Sequence, residues 1–290
     1  MKISLVTDEV SSDPETAIEL ALTWGIRDFE LRGIGPNRVP LLSDHQKDRL
    51  KEALDAFEVK VVAISPGLFK CPYPSGDRER FPMEALDSEM FARWRSAQDV
   101  ARYHLEELLP LSLQFAREVG AAILVVFGFH RGGRPAGQAP DEVLEALRMA
   151  AERAEVDGVS LALEVEDGFW GDTGQRTAAL LAQVNHRALG VNWDPANATV
   201  AGETAFPAGY QAVREFVRHV HFKDVRLDAA GGHRYAVEGE IDWSGQIGAL
   251  ARDGYRGFLS IEPHMAPRVK AAEAMAARLQ QLIRTAAYAC

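Results

Sequence analysis

Short, nearly continuous apolar runs alternate along the chain with longer stretches whose apolar residues recur every three or four positions. The short runs cover residues 3–7, 28–31, 60–64, 122–127, 160–164, 189–193, 219–222 and 257–261. Runs of that length fit parallel strands covered on both faces. The longer stretches predict helices over residues 14–24, 44–57, 103–119, 141–156, 177–184, 210–216, 243–251 and 271–286. Ser12-Asp13-Pro14 supplies a polar cap ahead of a proline at a helix start. Gly25, Gly120, Gly158 and Gly254 each fall between a helix and the next strand, where a left-handed cap is wanted. Eight strand–helix units in strict alternation predict an α/β fold, a single (β/α)8 TIM barrel forming one domain over residues 1–290. The competing architecture is a doubly wound open sheet. Against it, Val6-Thr-Asp-Glu-Val10 stands after the first strand, where a Rossmann or P-loop turn would place glycines. The longest irregular regions are 70–99 and 227–240. Both follow strand ends and so would cover the face where barrel chemistry occurs. The second, with Ala229-Ala-Gly-Gly232, reads as a flexible lid.

A chain of 290 residues is long for one core, yet ordinary for such a barrel. The net charge of −10 offers no basic field for phosphates, which argues against nucleic acid as a partner. Two cysteines, Cys71 and the terminal Cys290, make a structural disulfide unexpected and fit a reducing cytoplasm. The first residues run straight into a strand pattern without a signal-peptide layout. No apolar stretch is long enough to span a bilayer.

The chemistry gathers at strand ends. Leu161-Ala-Leu-Glu164, Leu189-Gly-Val-Asn-Trp-Asp194, His219-Val-His-Phe-Lys-Asp224 and Phe258-Leu-Ser-Ile-Glu262 each finish an apolar run on a metal-capable side chain. A carboxylate or imidazole beside a buried strand is costly unless it has a partner. In a closed parallel barrel these ends converge, which predicts one divalent metal held by Glu164, Asp194, His221 and Glu262. Each also has a plainer reading: Glu164 as a solvated loop carboxylate, as Glu166 and Asp167 are expected to be, and Asp194 as a helix cap before Pro195. His219 and His221 alternate on one strand and share a face. His221, nearer the mouth, is the expected ligand, and His219 a lower-layer support. Three carboxylates and an imidazole suit Mn²⁺, Mg²⁺ or Co²⁺ and tolerate Zn²⁺. Such a metal stabilises an enediolate, and Glu164 and Glu262 on opposite sides could pass a proton between adjacent carbons. Lys223, His264, Arg32, Lys70, His130, Arg131 and Arg226 are mouth candidates for holding substrate oxygens; for each, a surface or salt-bridged role is the alternative. Trp170 and Trp193 could wall a sugar, though packing against a helix explains Trp193 equally well.

At these residues the chain resembles the sugar phosphate isomerase/epimerase superfamily, the xylose isomerase-like barrels that include endonuclease IV. The resemblance covers nearly the whole chain. Its carriers are Thr7-Asp-Glu-Val10, Phe29-Glu-Leu-Arg32, Ile64-Ser-Pro-Gly-Leu-Phe-Lys70, the segment from Leu163 to Gly174, Asn192-Trp-Asp-Pro-Ala-Asn197, His219-Val-His-Phe-Lys-Asp224, Glu238-Gly-Glu-Ile-Asp-Trp243 and Ser260-Ile-Glu-Pro-His264. It implies a metal-dependent sugar isomerase or epimerase, with Mn²⁺ as the preferred ion and Glu164 and Glu262 as the proton-transfer pair. Asn197 and Glu240, from these motifs, join the expected substrate contacts. A dehydratase of an inosose or dehydroshikimate-like compound shares the first proton abstraction and is the alternative. A noncatalytic sugar-binding barrel is the third reading. The implied partner is a small carbohydrate; a homo-oligomer is allowed. Two departures stand out. Ketose 3-epimerases of the group carry histidine three residues after the metal aspartate, where this chain has Asn197. Many members carry asparagine where Val165 follows Glu164. Endonuclease IV needs three metals and many more histidines than the eight present.

Overall fold

The computed structural model describes residues 1–76 and 96–289. Most of the expected 70–99 irregular region therefore lies outside the described residues. Eight parallel strands form a closed barrel: β1 (Lys2–Val6), β2 (Asp28–Leu31), β3 (Lys60–Leu68), β4 (Ile123–Val126), β5 (Ser160–Glu164), β6 (Leu189–Trp193), β7 (Val217–Phe222) and β8 (Phe258–Ile261). They pair in chain order, and β1 closes on β8 with Ser4 opposite Ser260. The outer helices are α1 (Pro14–Thr23), α2 (Asp44–Phe57), α3 (Leu109–Val119), α4 (Asp141–Val156), α5 (Gly174–Val184), α6 (Tyr210–Val213), α7 (Trp243–Arg252) and α8 (Arg268–Ala289).

Local chemistry accounts for the element ends. Asp13 caps α1 by accepting from the Thr16 N–H at 3.0 Å, directly before Pro14. Gly120 ends α3 at φ +73°, the left-handed turn its position suggested. Helix α4 buries Val143, Leu147, Ala150 and Ala154 on one face against the barrel. Trp193 is fully buried and donates to Gln246 at 2.8 Å, so it packs the barrel against α7 rather than walling a sugar.

Three differences from the pattern reading have physical causes. Strand β3 runs on to Leu68, because Leu68 pairs with Val126 beyond an irregular register at Ser65-Pro-Gly67. Helix α5 starts at Gly174, since the Thr173 hydroxyl caps it. Residues 227–240 are not irregular throughout. Val225–Leu227 and His233–Tyr235 form an antiparallel hairpin, and the Asp228 carboxylate accepts from the Ala230 and Gly232 N–H groups at its tip.

The register sets the inner face. Glu164 pairs with Asn192, Asn192 with His219, and His221 with Ser260, so these polar side chains share the barrel interior. No helix among the described residues is long and apolar enough to cross a membrane.

Candidate active site

Glu164 is the last residue of β5, Asp194 the first after β6 and Glu262 the first after β8, while His221 lies one residue before the end of β7. Barrel closure brings one ligand-capable atom from each to within 4.8 Å of the others, and all four residues are buried. The His221 Nδ1 lies 3.1 Å from Glu262 Oε2, 3.5 Å from Glu164 Oε1 and 3.8 Å from Asp194 Oδ2. Asp194 serves both readings its position allowed, one oxygen each. Its Oδ1 accepts from the Asn197 N–H at 2.9 Å and caps the short helix Pro195–Val200; its Oδ2 faces the cluster.

Beneath His221 sits a carboxylate that strand patterning missed. Glu30 of β2 is fully buried, with Oε2 2.9 Å from His219 Nε2 and Oε1 3.2 Å from His221 Nε2. Burial works against the charge on Glu30, but the two imidazoles hold its carboxyl well below the usual range. An ionised Glu30 accepts the Nε2 protons, which leaves the His221 Nδ1 facing the cluster with no hydrogen-bond partner. The available signal was a glutamate enclosed by apolar neighbours inside a strand.

Cations frame the carboxylates. Arg32 reaches Asp8 Oδ2 at 2.9 Å, Glu9 Oε1 at 2.5 Å and Glu262 Oε1 at 2.6 Å, leaving Glu262 Oε2 toward the cluster. Lys223 was open to a surface reading; instead it is buried, with Nζ 2.8 Å from Asp194 Oδ2 and 2.9 Å from Glu262 Oε2. The contact with Asp194 is an ion pair whose angle is not that of a hydrogen bond. His264 lies 2.8 Å from Glu9 and 3.4 Å from Glu262, with its backbone at φ +51°, uncommon outside glycine. Burial opposes the charge on Glu262, yet Lys223, His264 and His221 hold it well below the usual carboxylate range. Burial pushes Asp194 up to about 6, against the pull of Lys223. Burial also opposes charge on His221, but Glu262, Glu30 and Glu164 raise it well above the usual imidazole range.

The other candidates divide. Asn197 donates to the Val165 carbonyl and to Glu166, both at 2.9 Å, and reaches Glu164 Oε1 at 3.5 Å. Glu166 is therefore not a free loop carboxylate; Lys70 also holds it at 3.0 Å while lying over the Phe127 ring. His130 packs edge-on against Phe169, and Arg131 pairs with buried Asp172 at 2.8 Å. Trp170 is buried against the edge of Tyr73. Arg226 and Glu240 stand exposed on or beside the hairpin, and neither side chain bonds to the cluster. The hairpin contributes Tyr235 instead, whose ring lies 5.1 Å from that of His264 and 5.8 Å from Lys223 Nζ.

A divalent cation fits the four-residue cluster. Three buried carboxylates point at one space, and two of the atoms facing it, His221 Nδ1 and Asp194 Oδ2, lack hydrogen-bond partners. The proton that the carboxylates hold on His221 occupies the same lone pair a metal would use. The profile of the xylose isomerase-like TIM barrel family matches residues 18–285.

The chain belongs to that family.

Solved structures of similar fold include the IolI protein with a bound zinc atom, 17% identical over 98% of this chain and 99% of that one, TM-score 0.71. A D-allulose 3-epimerase from Methylomonas sp., in complex with D-allulose, is 16% identical over 97% and 96%, TM-score 0.69. The probable 3-DHS dehydratase AsbF from Bacillus anthracis is 19% identical over 97% and 99%, TM-score 0.67. No curated protein matches the chain by sequence. Barrels of this fold thus include one solved with zinc, one solved with D-allulose and a probable dehydratase. At those identities the likeness is one of fold, and the site residues carry the functional argument.

Proposed function

We propose that this protein is a divalent-metal-dependent isomerase or epimerase of a sugar, sugar acid or sugar phosphate. The observation that carries the reading is the meeting of Glu164 and Glu262, from strands β5 and β8, with Asp194 and His221 within 4.8 Å at the barrel mouth. Glu164, Asp194, His221 and Glu262 would hold the ion, with Mn²⁺ our choice ahead of Mg²⁺, Co²⁺ and Zn²⁺ for an oxygen-rich set. When bound, it supplies Lewis-acid stabilisation of negative charge developing on adjacent substrate oxygens.

The chain's own groups do the rest. Arg32 fixes one oxygen of Glu262 and leaves the other toward the cluster. Both glutamates are held in the ionised form that a base needs, each against the cost of burial. One glutamate takes a proton from the carbon beside a carbonyl; the other, from across the mouth, returns one. Lys223 and His264 keep positive charge beside the oxygens that become negative. Asn197 positions Glu164 through the Glu164–Glu166 loop.

A second reading, loss of water after the same proton abstraction, is favoured by His264. It lies 3.4 Å from Glu262, and in the metal-free protein Glu262 and Glu9 push it, against burial, up to about 9, the protonated form an acid needs. Expelling a hydroxyl requires such an acid. One experiment tests both. Metal content is measured, then deuterium exchange is followed by NMR in D₂O across ketoses, sugar acids, sugar phosphates, inososes and dehydroshikimate. Exchange that needs metal and is lost in Glu164→Gln and in Glu262→Gln is the expected result. The product then distinguishes isomer, epimer and dehydrated compound. A folded protein that takes up no divalent metal would sink the proposal; metal without exchange on any compound would favour a sugar-binding barrel.

A further inference from the structure

The mouth holds an arginine that the cluster does not use. Arg38 ends the short hairpin Gly33–Ile34/Asn37–Arg38 after β2. Its Nε donates to the Ser65 carbonyl on β3 at 2.9 Å, and it has no ion-pair partner among the described residues. The other mouth cations are engaged: Arg32 with Asp8, Glu9 and Glu262, Lys70 with Glu166, Arg131 with Asp172, and Lys223 with Asp194 and Glu262.

The chain makes room for this guanidinium. A Cβ on Gly67 would lie 3.1 Å from Arg38 Nε and 3.2 Å from its Cζ, so any side chain there would crowd it. Gly67 also sits at φ +76°, a conformation other residues adopt at a cost. Burial and the neighbouring Arg32 charge pull Arg38 down to about 10, partly offset by Asp8, Glu164 and Glu262. The hairpin that carries Arg38 directly follows the C-terminal end of β2, and its Nε reaches Ser65 in the second half of β3, so Arg38 lies at the mouth end of the barrel. It remains charged at neutral pH, yet carries its charge with no anion in contact. Arg38 is half-buried, so its unpaired end is within reach of a ligand in the mouth. With Nε committed to Ser65, the two Nη groups remain as an end-on fork, the geometry that suits a pair of oxyanion oxygens.

We propose that Arg38 receives an anionic oxygen pair, a carboxylate or a phosphate, carried by the substrate away from its reacting carbons. The substrate is then an acidic or phosphorylated sugar derivative rather than a neutral sugar. This rests on the function proposed above for where the reacting carbons lie.

The test is calorimetric titration with three matched six-carbon probes: sorbitol, gluconate and sorbitol 6-phosphate. Each is titrated into metal-loaded and chelator-treated wild-type protein, Arg38→Gln and Arg38→Lys. The chelator-treated arm removes any preference that gluconate owes to the metal. A charged probe is expected to bind about ten-fold or more tighter than sorbitol, with or without metal. Arg38→Gln should abolish that ratio and Arg38→Lys should keep part of it. Preference for gluconate identifies a carboxylate as the group; preference for sorbitol 6-phosphate identifies a phosphate. Equal binding of all three probes by wild-type protein overturns the proposal, as does a preference that survives in Arg38→Gln. The exchange experiment reports separately on the parent reading. Glutamate-dependent exchange on a neutral ketose, with no anion preference, would sink the Arg38 proposal and leave the isomerase reading standing. An Arg38-dependent anion preference without exchange on any compound would do the reverse.

Discussion

At His221 the Nδ1 is turned to the cluster because the opposite nitrogen donates to Glu30, so a metal has only the Nδ1 proton to displace. Replacing Glu30 by Gln removes a full negative charge and puts an amide NH2, a donor, where a second carboxylate oxygen now accepts. Metal affinity of Glu30→Gln, measured by calorimetry, is expected to fall about 10–100-fold, the usual cost of losing the group that orients a ligand histidine. An unchanged affinity would mean that His221 does not depend on Glu30. A second residue-scale effect is the Glu9–His264 pair. In chelator-treated protein, His264 is raised from 6.5 to about 9, so its stabilising contribution is complete below pH 6.5 and is lost as pH rises through 9. Glu9 is lowered from 4.5 to about 2: burial opposes the shift, while His264 and Arg32 produce it. Its contribution is present above pH 4.5 and is lost as pH falls toward 2. Urea midpoints should therefore decline between pH 6.5 and 9 in wild-type protein, and His264→Gln should flatten that decline. An identical decline in the variant would assign it to other groups.

Elements meet most closely at the loops after β4 and β5. Trp170 donates its N–H to the Phe129 carbonyl at 3.0 Å, and Arg131 to that of Gly168 at 2.9 Å. A Cβ on Gly128 would lie 1.8 Å from the Trp170 carbonyl oxygen, so only glycine lets the two backbones approach. Gly128→Ala must push the loops apart, at an expected cost of about 1–3 kcal/mol in urea unfolding. Since the displaced loop carries Glu166, which Asn197 and Lys70 hold, metal affinity should drop as well. A variant as stable as wild type would show that the approach is not tight. At this scale the strand ends were legible, because a carboxylate ending an apolar run breaks the pattern visibly. The 225–235 hairpin was not. Its strands are three residues each, too short for alternation to show, and its turn is closed by Asp228 rather than by glycine alone.

Over the whole molecule, pairing in chain order sets β7 beside β8, and with it His221 and Glu262, while ring closure lets β2 reach across to place Glu30 under both histidines. The four ligands converge only in the folded chain, so folding and metal binding are linked. Mn²⁺ at about a hundred times its dissociation constant should add about 2.7 kcal/mol of stability. In a chain this size that raises Tm by several degrees. Glu164→Gln combined with Asp194→Asn should remove the Mn²⁺-induced increase. A Tm indifferent to Mn²⁺ in the wild-type protein would remove the cluster as a metal site.

The fold class was determined by local pattern alone. Strand and helix periods, caps such as Asp13 and the turn glycines are written in near neighbours, and eight alternating units admit few architectures. The convergence of Glu164, Asp194, His221 and Glu262 was likewise legible, because parallel closure brings all strand ends to one face. What those residues touch was decided only by tertiary structure. Glu30 lies 189 positions from the imidazole of His219 it holds, and Arg32 lies 230 from Glu262. Lys223 looks like half of a surface ion pair until the barrel closes around it, and Arg38 like any loop arginine until Gly67 makes room for it. Charge pairing depends on distance through space. A sequence records that distance only where regular geometry, such as strand alternation, makes it predictable.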